Sequence, residues 1–276
     1  MLADLALALA LFILLFPWVR YMVFLGAGQR AGQLTPVRER LGGLFLPLCR
    51  GWLTAMAADL LVLPLYPLGL VRDDGPDGPG IPVVLVHGLY HNRSAWVMLK
   101  HRLKRAGLTN VHTCQYNSFT RGFDEAVDGL ARKLDGLLGG REDARVVLVG
   151  HSLGGLVCRA VAGDPRYRSH VAGLLALGSP HGGSDLAWFG TNRMARSLIP
   201  GRYISRRMDE VEEPDCPRLA VYNLVDDYVF PLDRLKPNRP GWQERVCHPM
   251  GHVWMLFSPE VAAVALDFIL PLARRS

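Results

Sequence analysis

The chain has 276 residues, half of them hydrophobic, with 31 basic against 25 acidic side chains and a formal charge of +6. That length suits one large α/β domain or two small ones and supplies ample core. The basic residues are interleaved with acids, which argues against nucleic acid as a partner and only weakly for an anionic membrane surface.

Residues 5–19 carry no charge, and the apolar run reaches Gly28 once Arg20 is admitted. A spanning helix needs about 20 mostly apolar residues, so the longer run qualifies as a transmembrane anchor over residues 1–28. A cleaved signal peptide competes, but Asp4 replaces a basic start and no A-x-A site follows. A helix packed on the globular domain is the third reading. Residues 29–51 hold Arg30, Arg38, Arg40 and Arg50 against Glu39. The second apolar stretch, 52–71, is broken by Asp59, Pro64 and Pro67, which suits an interfacial or packing element better than a span. One span would keep the catalytic domain cytoplasmic and a two-helix hairpin would put it outside, so sidedness stays open. The turn-rich run 73–80, DDGPDGPG, closes this connector (29–80) as a linker.

From residue 81 onward strands alternate with helices. IPVVLV (81–86) reads as a buried strand, 94–106 as a helix with Ser94 at its N-cap, and 111–116 as a short strand. A helix is expected over 123–138, with apolar positions 123, 127, 130, 134, 137 and 138. VVLVGHSLGG (146–155) is a buried strand, a glycine-flanked turn with Ser152 at its tip, and the start of a helix. Strands follow at 171–177, 219–225 and 245–247, and an amphipathic helix at 260–270. The pattern predicts a mostly parallel sheet with helices on both faces, whose sites form at the carboxyl ends of strands. Five cysteines (49, 114, 158, 216 and 247) include no C-x-x-C pair, so no zinc site is expected, and Cys158 reads as a small buried hydrophobe.

Strand, tight turn and helix around Ser152 have the layout of a nucleophile elbow. A serine needs a base, and on such sheets the order is Ser, then an acid, then a late His. His252, in G-H-V-W-M-L before the last helix, is preferred to His248, which precedes a proline. The acid is Asp226 or Asp227, directly after LAVYNLV; whichever is not used is expected to be a solvated turn residue or loop cap. Two oxyanion donors are expected, the N–H of Leu153 and that of Leu89 in the loop after His87-Gly88. His87 itself is expected to shape that loop.

V-H-G-L, G-H-S-L-G-G, G-S-P-H-G-G and D-D-Y-V-F-P followed by G-H-V-W-M-L resemble the α/β-hydrolase superfamily over residues 81–273. The likeness is to bacterial lipases and esterases of the triacylglycerol-lipase type. It implies an α/β-hydrolase domain over 81–276, with no cofactor and no metal ligand expected and any calcium requirement left open, and the frame D-x-x-V-x-P implies Asp226 as the acid. It also implies that His181 and Gly182 line the site without joining the triad. Secreted relatives carry a cleaved signal peptide, and the first 75 residues here depart from that, which favours a membrane-bound enzyme at a bacterial inner membrane.

Residues 182–217 fall where such enzymes insert a lid. An amphipathic flap over an acyl cleft and a pair of plain surface helices are both compatible with them. A membrane anchor beside an ester cleft points to a lipidic or acyl-ester substrate, with the anchor itself taking no part in the chemistry. A thioesterase or acyltransferase would use the same triad, and an inactive membrane-bound interaction protein is the reading outside enzymes. Oligomeric state is not readable from the sequence.

Overall fold

The computed structural model describes residues 2–71 and 78–274; most of the expected linker, residues 73–77, lies outside the described residues. Six strands form one sheet: β1 (Val83–Val86), β2 (Val111–Cys114), β3 (Val146–His151), β4 (Val171–Leu177), β5 (Arg218–Asn223) and β6 (Trp242–Cys247), in the order β2-β1-β3-β4-β5-β6. Every pairing is parallel. The inner strands β1, β3 and β4 are almost continuously apolar because both faces of the sheet are covered there, whereas the edge strand β6 exposes Gln243, Glu244 and Arg245.

Alternate residues divide between two cores, as the pleat requires. Val84, Val86, Leu148 and Leu174 face α5 (Phe123–Leu138) and α6 (Leu153–Ala162). Val83, Leu85, Val147, Val149, Leu175 and Leu177 face α4 (Val97–Arg105) and α9 (Pro259–Ala273). The expected helix 123–138 and strand 171–177 are observed at those bounds. The helix predicted from Ser94 begins instead as a single 3₁₀ turn, Arg93–Trp96, capped by Asn92, whose side chain accepts the Ser94 N–H; α4 follows. Asn92 captures the cap because its carbonyl sits two residues before the first free amide.

Residues 2–70 include α1 (Leu2–Arg30), α2 (Leu34–Leu41) and α3 (Phe45–Leu65), the last tightening into a 3₁₀ turn, Tyr66–Leu70. They do not stand apart from the sheet domain. Tyr21, Phe24, Ala27, Val37 and Ala55 share a core with Leu224, Val225, Val229 and Phe230, which follow β5. The second apolar stretch, read from sequence as an interfacial element, is the one helix among the described residues long and apolar enough to cross a membrane, over Phe45–Leu70. Its prolines interrupt it little, since Pro64 falls in the last turn of α3 and Pro67 at the start of the 3₁₀ turn.

Residues 182–217 comprise a 3₁₀ turn (Asp185–Phe189), α7 (Arg193–Ser197) and α8 (Tyr203–Glu210). Met194, Leu198, Ile199, Ile204 and Met208 are buried in the core shared with α6, so the apolar face of this segment is committed to the domain. Trp188 and Phe189 remain exposed.

Candidate active site

Ser152 occupies the turn between β3 and α6 at φ 54°, ψ −126°. That conformation costs a non-glycine residue about 1–3 kcal/mol and persists only when its surroundings impose it. Here they do: the Ser152 N–H donates to the Leu177 carbonyl at 2.8 Å, and α6 is buried along its whole length. The packing leaves no room for side chains beside the turn. A Cβ on Gly154 would lie 2.1 Å from the Val86 carbonyl oxygen, and one on Gly88 would lie 3.0 Å from Ser152 Cβ. Glycine at both positions lets the loop carrying Leu89 pass in contact with the serine. Leu153 opens α6, so its N–H is among those that a helix leaves unpaired at its positive end.

His252 lies just before the 3₁₀ turn Val253–Leu256 and is buried. Its Nδ1 donates to Asp226 Oδ2 at 2.8 Å. The other oxygen of Asp226 accepts the N–H groups of Tyr228 and Val229, at 2.9 and 2.8 Å. Nε2 of His252 is buried and has no hydrogen-bond partner among the described residues. The expected positions 152, 226 and 252 thus lie at the carboxyl ends of β3, β5 and β6, and the structure brings the acid onto the imidazole.

Asp227, expected to be a solvated turn residue or a loop cap if unused, is fully buried. Its Oδ1 accepts the backbone N–H of His252 at 2.7 Å and its Oδ2 accepts Arg20 Nε at 2.8 Å. A buried carboxylate must be paired, and its partner is a cation from the far end of the sequence. Arg20 also lies 3.4 Å from Asp59 of α3, and its guanidinium stacks 4.6 Å above the Tyr228 ring. Tyr228 in turn stacks on His252, with centroids 5.0 Å apart.

The other histidines take separate places. His87 is stacked on Tyr116 at 4.4 Å, donates from Nδ1 to the Gly88 carbonyl at 2.9 Å, and is pushed down to about 4 by burial. It is neutral and shapes the loop. His151 is also held well below the usual range, first by burial and then by His252, whose ring is 4.7 Å away. His248 is exposed and pairs with Glu260. His181, expected to line the cleft, points instead at Arg159 and at the edge of Trp242. Burial and the Arg159 charge lower its pKa.

Among the described residues no group of three or more His, Cys, Asp or Glu could hold a metal. A groove of about 1020 Å³ follows α7 and α8, and none of its lining residues belongs to the Ser152 site. A second groove, about 720 Å³, runs between Trp18, Val19 and Met22 of α1 and the exposed Trp188 and Phe189. Sequence reasoning missed Arg20 and Tyr228. The available signal was one charge in each of two apolar stretches, Arg20 and Asp59, since charges in such helices are kept where they pair.

Among curated proteins none matches the sequence. Solved structures share the fold. A Bacillus licheniformis lipase, BlEst2, is 17% identical, with a TM-score of 0.57 over 74% of this chain and 96% of its own. A structure from the work on LipS and LipT, two metagenome-derived lipolytic enzymes, is 18% identical, with a TM-score of 0.55 over 73% and 96%. Est1E from Butyrivibrio proteoclasticus is 14% identical, with a TM-score of 0.54 over 73% and 93%. The model of the alpha/beta hydrolase family matches residues 83–261, which contain Ser152, Asp226 and His252. The chain belongs to the alpha/beta hydrolase family.

Proposed function

We propose that this protein is a membrane-associated serine hydrolase of carboxylic esters, working through an acyl-enzyme on Ser152. The observation that carries the reading is the Asp226–His252 contact of 2.8 Å, with Nε2 left buried and unpartnered and the same imidazole 4.7 Å from the ring of His151, the residue before the strained Ser152. Asp226 fixes the Nδ1–H tautomer, so Nε2 carries the lone pair that accepts the Ser152 proton as Oγ attacks the acyl carbon. Charge developing on the carbonyl oxygen is met by the N–H groups of Leu153 and Leu89. The imidazolium then gives its proton to the departing alcohol, and water, deprotonated by the same nitrogen, releases the acid.

The membrane part of the proposal is supported by the apolar surface of the N-terminal helices. Leu15, Trp18 and Val19 of α1 and Phe45, Leu46 and Leu53 of α3 are all exposed. A contiguous face of that kind is held by lipid or by a partner. The groove between α1 and Trp188 is lined mainly by apolar side chains, among them Trp18, Val19, Met22 and Phe189, which supports a lipidic ester as substrate.

A fluorophosphonate probe tests the reading. Wild type should label and Ser152→Ala should not; an unlabelled wild type, or equal labelling of the two, would sink it.

A further inference from the structure

We infer that Arg20, carried on the apolar N-terminal helix, is a positioning residue for His252, so that the helix pair is part of the hydrolase site and more than its anchor. The inference rests on the serine-hydrolase reading of Ser152 and deepens it.

Two contacts run from Arg20 to the imidazole. Through Asp227, Arg20 Nε at 2.8 Å orients a carboxylate whose other oxygen holds the His252 N–H at 2.7 Å. Through Tyr228, the guanidinium lies 4.6 Å from the centroid of a ring that stacks on the imidazole, with ring centroids 5.0 Å apart. Backbone and ring of His252 are therefore both fixed from α1. The surrounding contacts repeat the pattern. The Tyr21 hydroxyl donates to the Val225 carbonyl at 3.0 Å, and Gln33 Oε1 accepts the Leu232 N–H at 2.7 Å, so α1 and the residue before α2 brace both ends of the loop carrying Asp226. On the other side, Thr54 Oγ1 of α3 accepts the Gly251 N–H at 2.8 Å, bracing the loop carrying His252.

Charge gives Arg20 a second task. Asp226 and Asp227 are adjacent, and both are fully buried. With Asp227 neutralised by Arg20, the imidazole faces one net negative charge, that of Asp226. Without Arg20 it faces two, and the buried Asp227 carboxylate loses its nearest cation. The groups facing His252 are Asp226, Asp227 and Tyr228 from the loop after β5, and His151 from β3. Behind them stand Arg20 and Tyr21 of α1 and Asp59 of α3. A displaced base is expensive: misplacement by about 1 Å can cost on the order of 10² in rate.

The experiment measures kcat per active site, counted by fluorophosphonate titration, for full-length protein in detergent micelles. Arg20→Met should lower kcat per titrated site by roughly 30- to 100-fold, with KM within about threefold. A merely structural residue would reduce the number of titratable sites and leave the rate of each unchanged, and that result overturns the inference. If Arg20→Met does not fold, Arg20→Met with Asp227→Asn decides, because it removes both charges and keeps an oxygen for the His252 N–H. The guanidinium behind Tyr228 is still missing, so kcat per site should fall at least about fivefold; a wild-type value overturns the inference. An unlabelled wild type overturns the serine-hydrolase reading itself, and the positioning role with it.

Discussion

Replacing Asp226 by asparagine isolates the part of the site that sets the tautomer of His252. Asp226 Oδ1 accepts two backbone N–H groups, from Tyr228 and Val229, at 2.9 and 2.8 Å. An asparagine would keep its carbonyl oxygen there, because turning the NH₂ toward two donors forfeits both bonds and strands them, at a cost of about 3 kcal/mol. The NH₂ then faces His252 Nδ1, where the carboxylate now sits at 2.8 Å. Nδ1 becomes the acceptor, Nε2 carries the proton, and the base is blocked. Only about one molecule in 10² holds the flipped, competent amide at that energy, and its neutral bond to the imidazolium is weaker by about a further factor of ten. Turnover should therefore fall on the order of 10³ to 10⁴, in line with the same tautomer error in serine proteases. The assay is ester hydrolysis per folded molecule, with a thermal melt to show that folding is retained. Asp227→Asn keeps an oxygen for the His252 N–H, and its main effect is to leave Arg20 with Asp59 alone, a stability loss of about 3 kcal/mol. A Asp226→Asn variant within tenfold of wild type, or an Asp227→Asn variant that loses more turnover, refutes this assignment.

His87 makes folding stability depend on pH. It is lowered from 6.5 to about 4 in the folded chain by burial, so the unfolded chain binds the extra proton between those values. Its contribution is complete above about pH 6.5 and is lost as pH falls toward about 4, by up to about 3 kcal/mol. Melting temperature followed from pH 7 to pH 5 should fall less steeply in His87→Gln; an unchanged slope would exclude His87 as the source. For the membrane reading, alkaline carbonate should leave the full-length protein in the pellet, since the apolar faces of α1 and α3 bind lipid without help from salt-sensitive charge. Release into the supernatant would contradict a spanning segment.

The elbow was legible because its chemistry is local. A run of buried β-branched residues, glycines on both sides of a serine and helical spacing afterwards leave few alternatives, and the chain order of acid and base follows from the sheet. Choosing between Asp226 and Asp227 from residues alone was harder. Both are buried, and what separates them is which oxygen meets Nδ1 and which meets the backbone N–H of His252. The apolar residues of 182–217 suit a flap equally well on paper; the three-dimensional arrangement spends Met194, Ile204 and Met208 on the core beside α6. His181 follows a family pattern in sequence, and its contacts with Arg159 and Trp242 are long-range ones that the pattern does not carry. Arg20 was the least legible residue. In sequence it is a flaw in a membrane span, and its partner Asp227 is 207 positions away. No periodicity links two such residues, because long-range pairing is set by how the helix docks.

The central claim is that Ser152 carries the acyl group. Full-length protein mixed with an activated ester and quenched in acid during turnover should yield one peptide, the one containing Ser152, heavier by the mass of the acyl group, and none in Ser152→Ala. Turnover with no acylated peptide, or an acyl group on a different residue in both proteins, would contradict the account.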